Sequence, residues 1–506
     1  MGSSALRKEV VSVGKHSLVY VIGQAIARAV GFLMIPLYTS YIAPNHYGAM
    51  ELIEIVTSGC LLLLAMSVGD AMSRFYYAEK EETGRKRVIS TAIISLGVLA
   101  LPLVLLLTAS ARWICIAVLD DAQYTRCLQI AMLATWFGML CEIGYTYLRM
   151  RYQARLFVLI TTAQLVLALT LNIYFIVGLQ LGIQGIFYST LITQTVTGLL
   201  LAAVILRSTG LQVSAEILKR LMAFGLPLVP PQIALTLGLS ANRFFLRWFT
   251  SADPAVALAQ VGIFSLGHKF GVILNRFINV PFNSFWGPRR LELLLGDEAH
   301  ARETVARMCT YATLVSVLFG LLLSVNITPL VTLAVGHGYE NCALVVPLVA
   351  LAYVAVGLEM HFKTGILVQR QTMWDTWVSI VSLAVILLWN YLFVPRFGLL
   401  GAATSNLAGF VVRLGLIYYI SQRLYPIPFE IGRLSILLVC ACGWYALCQF
   451  FAYPSAWWTL CARTGFVLLF PLALFCIRFY RDGEVEFVSQ YLRRDPDKAK
   501  HSCVQA

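Results

Sequence analysis

The sequence predicts an all-α integral membrane protein with about 14 transmembrane helices, arranged as two six-helix lobes in parallel repeat followed by two C-terminal helices. Three observations lead to this prediction. Of the 506 residues, 59% are hydrophobic and only 12% are charged, whereas soluble proteins carry about 25% charged residues. Apolar stretches of roughly 17 residues or more, each able to cross a membrane as a helix, recur along the whole chain. Basic residues gather on alternate connections between these stretches.

The spans follow one another with short connections, and their boundaries are loose by several residues. The first seven cover about 16–42, 49–68, 89–109, 128–148, 157–179, 185–206 and 222–246. The second seven cover about 258–283, 308–325, 344–360, 378–394, 402–420, 435–451 and 457–477. Because the runs are continuously apolar, they favour helices over the alternating strands of roughly 10 residues found in membrane barrels.

The distribution of Lys and Arg supports the span count and predicts the topology. The connections assigned to the cytoplasm, with both termini, hold 28 of the 38 basic residues, six lie within spans, and four lie on the other side: Arg112, Arg126, Arg247 and Arg396. We therefore expect a multi-pass protein with both termini in the cytoplasm, whose first span is retained rather than cleaved as a signal peptide. The net charge of +13 then reports topology, and nucleic acid is excluded as a partner.

The connections offer little room for chemistry. They contain no nucleotide-binding loop of the GxxxxGK[ST] kind, and the twelve cysteines form no CxxC pair. We expect no enzymatic activity, no cofactor and no metal site, and we interpret the cysteines as small packing residues.

An internal repeat is predicted by small residues that recur in the same order. Residues 182–191 (GIQGIFYSTL) open the sixth span and residues 398–407 (GLLGAATSNL) open the twelfth, so both read GxxGxxxSxL. Further matches join Asn172 to Asn390, residues 151–153 to 369–371, and Tyr47-Gly48 to Val261-Gly262. Ordered matches at several anchors favour duplication over coincidence.

Six helices per unit give both units the same orientation, as in parallel repeats about an axis along the membrane normal. The predicted domains are an N-terminal lobe (1–206), a C-terminal lobe (207–425), two extra helices (426–480) and a cytoplasmic tail (481–506).

Four of the six basic residues within spans belong to helices that open the repeats: Arg28, Arg243, Lys269 and Arg276. A charged side chain at the bilayer centre costs about 2.5–3.5 kcal/mol on insertion scales, so it usually faces a cavity or a partner. Lys269 and Arg276 are seven residues apart and share a helix face. We expect the four to line a central cavity that binds an anionic head group, since guanidinium groups match phosphate oxygens. For Arg413 and Arg463 we favour snorkelling or a structural pair.

The other candidates, for ion coupling or as counter-ions, are the acidic residues of the spans together with Arg74: Glu51, Glu54, Asp70, Arg74, Glu142 and Glu359. Asp70 and Arg74 are four residues apart, so we expect a local ion pair. For Glu51 and Glu54, a counter-ion to Arg243 or an interfacial position is favoured over a proton or sodium site. Helix breakers mark predicted hinges for alternating access at Gly31, Pro36, Pro227, Pro230, Pro231 and Pro281.

Taken in order, several short motifs resemble the oligosaccharide flippases and polysaccharide biosynthesis transporters of the multidrug/oligosaccharidyl-lipid/polysaccharide flippase superfamily. They are residues 27–37 (ARAVGFLMIPL) followed by Tyr47-Gly48, residues 73–76 (SRFY), 242–244 (NRF) and 262–265 (GIFS). The family often has an acidic residue before the arginine of the NRF motif. Here that residue is Asn242, which argues against ion coupling at this position.

The resemblance implies a flippase that moves polyprenyl-diphosphate-linked oligosaccharide repeat units across a bacterial inner membrane by alternating access. Arg28, Arg243, Lys269 and Arg276 would then hold the diphosphate. Membrane lipids, a polysaccharide polymerase and glycosyltransferases would be its partners.

Three alternatives stay open at this point. A drug extruder of the same superfamily would have the same topology, although cationic drugs favour an acidic, aromatic cavity. A flippase for a lipid-linked peptidoglycan precursor carries the same anionic group. A membrane enzyme that polymerises or ligates lipid-linked sugar is the least favoured, since Asp120 and Asp121 are the only acidic pair in the short outer connections.

Overall fold

The computed structural model describes residues 34–296, 300–451, 453–477 and 479–481. Helix makes up 87% of the structure, and none of the residues in these ranges lies in a β strand. The predicted all-α class is therefore confirmed.

Numbered in chain order, the helices begin with α1, which is described over residues 34–41. The others are α2 (Pro44–Ala65), α3 (Val68–Ala78), α4 (Glu82–Ala109), α5 (Ala111–Leu119), α6 (Thr125–Met150), α7 (Ala154–Ile173), α8 (Ile183–Thr209), α9 (Ala215–Gly225), α10 (Val229–Phe249), α11 (Pro254–Leu274), α12 (Val280–Leu295), α13 (Ala301–Ala334), α14 (Cys342–Phe362), α15 (Thr364–Val368), α16 (Met373–Phe397), α17 (Leu399–Leu424), α18 (Ile431–Cys448), α19 (Ala456–Leu468) and α20 (Phe470–Cys476). Short 3₁₀ turns occupy Ala122–Tyr124 and Leu226–Leu228, and π turns occupy Tyr174–Gly178 and Asn275–Asn279.

Twelve helical stretches within the described ranges are long and apolar enough to cross a membrane. They correspond to the second to sixth and the eighth to fourteenth predicted spans, so the count of fourteen is approximate. The first span lies mostly outside the described residues. The seventh forms α10, but Arg243 and Arg247 lower the mean hydropathy of this helix.

Several observed helices extend beyond the predicted apolar runs because their polar ends continue the helix into the connections. The stretch at the eighth predicted span, for example, runs from Pro254 to Leu295 over 42 residues, whereas its apolar part predicts an end near Asn283. Two of the predicted hinge prolines lie at interruptions of the α-helical path in the seventh and eighth spans, and their role as hinges stays a prediction. Pro227 lies in the turn Leu226–Leu228, and Pro281 is the second residue of α12.

The chain divides by contacts into two units, each with its own apolar core. The first consists of Met1–His268, Ala334–Val345 and Ser382–Gly409, and the second of Lys269–Leu333, Val346–Val381 and Phe410–Ala506. A core in the first unit joins α3, α4, α6 and α8 through residues such as Leu96, Met139 and Leu201. The second unit has one core around Trp286 and Phe362 and another around Leu321 and Phe470. The four predicted sequence domains stay a prediction.

The local geometry at the repeat anchors supports the predicted duplication. Gly182 and Gly398 both have positive φ, +56° and +51°, a conformation that favours glycine. Three residues later, Gly185 and Gly401 lie against the preceding span. A methyl group added there would lie 2.9 Å from Phe175 Cβ in the first case and 2.5 Å from the Phe393 carbonyl oxygen in the second.

The repeat match between Tyr47-Gly48 and Val261-Gly262 lies at a symmetrical crossing of α2 and α11 within the first unit. A methyl group at Gly48 would lie 1.9 Å from the carbonyl oxygen of Leu258, and one at Gly262 would lie 2.2 Å from that of Pro44. Gly48 lies four residues after Pro44, and Gly262 lies four residues after Leu258. Each glycine thus contacts the residue four positions before the other glycine, so the two sides of the contact are equivalent. Small residues allow such close backbone contact between membrane helices.

The connection between α13 and α14 packs on the segment that precedes α2. The Gly336 N–H donates to Thr39 Oγ1 at 3.1 Å, and the Tyr339 hydroxyl donates to the Ile42 carbonyl at 2.8 Å. The Tyr339 ring also meets the ring of Tyr47 edge to face, with centroids 5.8 Å apart. These contacts lie beside the glycine crossing, at the end of the spans that the charge distribution predicts to be outside.

Candidate functional site

Arg243 is held on α10 by the GIFS motif of α11. Only 7% of this residue is exposed. Its Nε donates to Ser265 Oγ at 3.1 Å, and its guanidinium carbon lies 5.3 Å from the ring centroid of Phe264. Two motifs that are separate in the sequence therefore meet around one buried cation. Arg28, the predicted partner from the first span, lies outside the described residues.

Arg276 lies in the π turn Asn275–Asn279, near the middle of the longest candidate span of the described chain. Its side chain is exposed, and no ion pair of Arg276 forms with any other residue that the structure describes. A charged side chain at this depth is stable when it faces a water-filled cavity. Lys269, two turns earlier, is half-buried. Arg243 belongs to the first contact unit and the other two to the second, so the four-residue ladder stays a prediction.

The π turn that carries Arg276 is tied to two neighbouring helices by Asn279. Its Nδ2 donates to the Tyr353 carbonyl of α14 at 2.8 Å, and its Oδ1 accepts from Ser316 of α13 at 2.8 Å. Gly357 leaves room for this side chain, since a methyl group there would lie 2.7 Å from Asn279 Oδ1. π turns often mark functional positions in helices, and this one directly precedes the predicted hinge at Pro281.

The predicted local pair between Asp70 and Arg74 is wrong. Both side chains are exposed, and no ion pair joins them in this described part of the chain. The guanidinium of Arg74 instead lies 4.6 Å from the ring centroid of Phe224, because α9 packs against α3 and presents an aromatic face to the arginine. On α2, Glu51 is buried with 5% exposure, whereas Glu54 is exposed.

Glu359 is a counter-ion in a four-residue charge network of the second unit. Arg413 Nη2 lies 3.3 Å from Glu359 Oε1 and 2.8 Å from Asp375 Oδ1. Lys363 Nζ lies 2.6 Å from the other oxygen of Asp375, and Ser379 Oγ accepts from Arg413 Nη1 at 2.6 Å. The two positive and two negative charges balance and join α14, α16 and α17. This agrees with the structural pair expected for Arg413.

Glu142 is exposed on a helix that is otherwise well buried. In the span that includes α6, 61% of the most apolar window is buried, yet the Glu142 side chain is exposed. One turn further, the Tyr145 hydroxyl donates to Gln164 Oε1 of α7, and Gln164 Nε2 donates to Gln194 Oε1 of α8 at 3.5 Å. A carboxylate, a phenol and two amides thus occupy adjoining positions inside the first unit.

Asn242 is fully buried and donates from one amide nitrogen to two oxygens. Its Nδ2 lies 3.1 Å from the Ala402 carbonyl and 3.2 Å from Ser405 Oγ. The Ser405 hydroxyl itself donates to Ala402, so both oxygens act as acceptors toward Asn242. A carboxylate in this place would need a proton or a cation between the oxygens. The amide nitrogen therefore supplies the donor that both oxygens need, while Asn242 Oδ1 has no hydrogen-bond partner in the described structure. The argument against ion coupling at this position stays a prediction.

Arg463 compensates for a proline in another helix. Pro329 lies inside α13, so the carbonyl four residues before it, that of Val325, loses its helical partner. Arg463 Nη1 donates to this carbonyl at 2.9 Å, and its Nε donates to the Phe451 carbonyl at 2.8 Å. The structural role expected for Arg463 thus has a specific cause.

An apolar groove of about 230 Å³ lies within the second contact unit, between α13, α14 and α18. Its walls include Val317, Leu321, Leu348, Leu351, Leu438 and Tyr445. Such a groove suits a hydrocarbon chain. Across the described ranges, no group of three or more His, Cys, Asp or Glu residues is placed to hold a metal ion.

Sequence reasoning missed two residues that matter to these arrangements. Asp375 was hidden because it opens an apolar span and resembles an ordinary first-turn acid. Arg290 was assigned to a cytoplasmic connection, but α12 continues to Leu295 and buries it to 3% exposure. The sequence signals for a helix end are proline and glycine. Pro288 indicates that the helix ends before Arg290, so these signals did not reveal that Arg290 is buried.

These features define a multi-pass, all-helical membrane protein. The sequence profile of the family described as polysaccharide biosynthesis protein matches residues 13–290, which is 278 of 506 residues. The chain belongs to this family. Among curated proteins no match was found.

Solved structures show the same fold at low sequence identity. The structure of the lipid II flippase MurJ in an inward closed conformation matches with a TM-score of 0.74 and 11% identity, over 91% of this chain and 99% of that one. An inward-facing multidrug resistance MATE family transporter of the MOP superfamily matches with a TM-score of 0.58 and 18% identity, over 82% and 98%. A MATE transporter of Vibrio cholerae matches with a TM-score of 0.54 and 18% identity, over 83% and 98%.

Proposed function

We propose that this protein is a flippase for polyprenyl-diphosphate-linked oligosaccharide repeat units, which it moves from the cytoplasmic to the outer leaflet of a bacterial inner membrane. The observation that carries the proposal is Arg276, an exposed cation in the middle of a membrane span. Membership of the polysaccharide biosynthesis protein family supports the substrate class. The product would serve surface or exopolysaccharide assembly, with a polymerase and glycosyltransferases as partners.

Charge distinguishes this proposal from drug extrusion. Glu359 and Asp375 are neutralised by Arg413 and Lys363, so these carboxylates do not offset the cation at Arg276. A cavity with excess positive charge attracts a diphosphate and repels cationic drugs. Arg28, Arg243 and Lys269 would add to this charge.

The lipid part of the substrate needs an apolar surface that is continuous with the bilayer. The groove between α13, α14 and α18 is lined mainly by apolar side chains, and in this proposal it opens toward the bilayer. In this proposal the isoprenoid chain rests there or in the bilayer while the diphosphate is held by arginines and the sugar crosses through water. The first of the two extra C-terminal helices, α18, contributes one wall of the groove through Leu438 and Tyr445.

Alternating access would use the close crossing of α2 and α11. The charge distribution predicts that Gly48 and Gly262 lie at the outer ends of these helices, so their contact closes the outer side. Opening requires the two helices to separate there, while the π turn Asn275–Asn279 and the break at Leu226–Leu228 give the spans places to bend. Both termini would be cytoplasmic.

A peptidoglycan precursor would be carried on the same anionic lipid, so charge does not distinguish this alternative substrate from an oligosaccharide repeat unit. The MurJ structure shares the fold of this chain at 11% identity, which does not define the sugar. The test below therefore measures the sugar directly.

Cells lacking this protein test the proposal when they are complemented with wild type, Arg276→Gln or the control Arg289→Gln. Arg289 is exposed on α12 and pairs with Glu292 at 2.9 Å, so its loss removes a charge away from the span centre. We expect lipid-linked oligosaccharide to accumulate in the inner leaflet without the protein and with Arg276→Gln, and to clear with the other two. Normal clearance by Arg276→Gln would overturn the binding assignment, and a defect confined to peptidoglycan would favour the precursor flippase.

A further inference from the structure

Arg290 is a buried cation whose counter-charge is missing. Its Nη1 donates to the Met360 carbonyl at 2.8 Å and its Nη2 to Asn283 Oδ1 at 3.4 Å, while its Nε has no hydrogen-bond partner. No carboxylate among the residues that the structure describes lies within ion-pair distance of it. A guanidinium does not lose its proton in a protein, and a buried charge without an opposite charge is costly.

A cavity of about 130 Å³ lies next to both partners of Arg290 in the second contact unit. Asn283 and Met360 line it, together with His361 and Tyr311, between α12, α13 and α14. This volume is roughly ten times the space that a single water molecule requires. The charge distribution predicts that this end of the helices faces the cytoplasm.

Two polar side chains present hydrogen-bonding groups at this cavity. His361 is 96% buried, with 4% of its surface exposed, and its Nδ1 has no hydrogen-bond partner in the described structure. Asn283 uses its carbonyl oxygen for Arg290, which leaves its amide nitrogen as the remaining donor. A donor amide, an imidazole nitrogen and a nearby fixed positive charge together suit an oxyanion.

We infer that this cavity binds a phosphate-type oxyanion, held by Asn283 and His361 and neutralising Arg290. The anion can come from the headgroup of an inner-leaflet lipid or from phosphate in the cytoplasm. Basic pockets between membrane helices on this side are known to suit anionic headgroups. The inference stands apart from the proposed flippase activity, since it does not depend on the transported substrate.

The sharpest test replaces Asn283 by aspartate, which has the same shape. Asn283→Asp places a carboxylate beside Arg290 and so supplies the counter-charge from within the protein. We expect this variant to lose the anion site without losing stability in the absence of anion. Asn283→Leu removes the donor without adding charge, and we expect it to weaken anion binding by about tenfold or more.

The measurement is thermal unfolding of the purified full-length protein. Inorganic phosphate is compared with chloride at constant ionic strength, and phosphatidylglycerol with phosphatidylcholine in mixed micelles. We expect phosphate, phosphatidylglycerol or both to raise the unfolding midpoint of wild type and of the control Arg289→Gln. The affinities of these two proteins for the anion should agree within about twofold. A response to phosphatidylglycerol alone identifies a lipid headgroup, and a response to phosphate identifies a site open to water.

Two results would overturn the inference. One is a wild-type protein whose midpoint responds neither to phosphate nor to phosphatidylglycerol. The other is an undiminished response in Asn283→Asp and Asn283→Leu, which would assign the anion effect to the general basic surface.

Discussion

Substitutions at the contact between Gly48 and Gly262 test the proposed motion most directly. A methyl group at Gly48 would lie 1.9 Å from the Leu258 carbonyl oxygen, about 1.5 Å short of the 3.4 Å at which ordinary contact begins. The contacted atom belongs to a backbone, so it cannot rotate away as a side chain would. Gly48→Ala must therefore push α2 and α11 apart.

Overpacking of this kind typically costs about 1–3 kcal/mol. If the cost falls only on the state in which the helices touch, the equilibrium shifts toward the open outer side by about 5- to 150-fold. Gly262→Ala faces the equivalent carbonyl of Pro44 at 2.2 Å, and we expect a similar shift. Gly443→Ala is the matched control, because nothing lies within 4 Å of a methyl group there.

The assay uses Ala257→Cys as a reporter, since Ala257 is fully buried beside the crossing. A membrane-impermeant maleimide is added outside intact cells, and labelling of proteins that retain Ala257 gives the background from native cysteines. We expect Gly48→Ala to speed reporter labelling by at least about fivefold, and Gly443→Ala to leave it unchanged. Equal rates in the two variants, at equal amounts of folded protein, would refute the crossing as the outer closure.

Three further predictions concern buried polar groups and are checked by thermal unfolding of purified protein. Arg463→Met leaves the Val325 carbonyl without a donor, and we expect a loss of about 1–3 kcal/mol, whereas a change below 0.5 kcal/mol, the usual range for surface substitutions, would contradict the proline argument. Arg413→Met leaves Glu359 buried and unpaired, so we expect a loss of about 3–5 kcal/mol that the added change Glu359→Gln partly restores; no restoration would argue against the pair. Asn242→Asp should destabilise the protein at neutral pH and regain stability at low pH or with added sodium, and insensitivity to both would contradict the oxygen-facing geometry.

The sequence predicted the features that depend on local pattern. The apolar runs predicted twelve of the fourteen expected spans within the described residues. The repeat pattern paired Gly182 with Gly398, and the structure adds that both have a positive φ. The sequence matched Gly48 to Gly262 only as a repeat anchor, and their close approach is a finding of the structure, since small residues let backbones come close.

Contacts between distant residues could not be predicted in the same way. Asp375 joins Glu359 and Arg413 only because three helices pack together, and no spacing in the chain shows this. The Arg74 guanidinium lies over the Phe224 ring instead of pairing with Asp70, since an aromatic ring from another helix competes with a local carboxylate. For the substrate cavity, the position of Arg28 relative to Arg243 stays a prediction.

The measurement that tests the central claim most directly uses purified protein in liposomes that contain a polyprenyl-diphosphate-linked oligosaccharide with a labelled sugar. A membrane-impermeant glycosidase then reports the fraction of sugar in the outer leaflet. The account predicts that wild-type protein makes the protected pool accessible within the assay and that Arg276→Gln does not. An accessible fraction equal to that of protein-free liposomes, in a preparation that binds or exports cationic drugs, would contradict it.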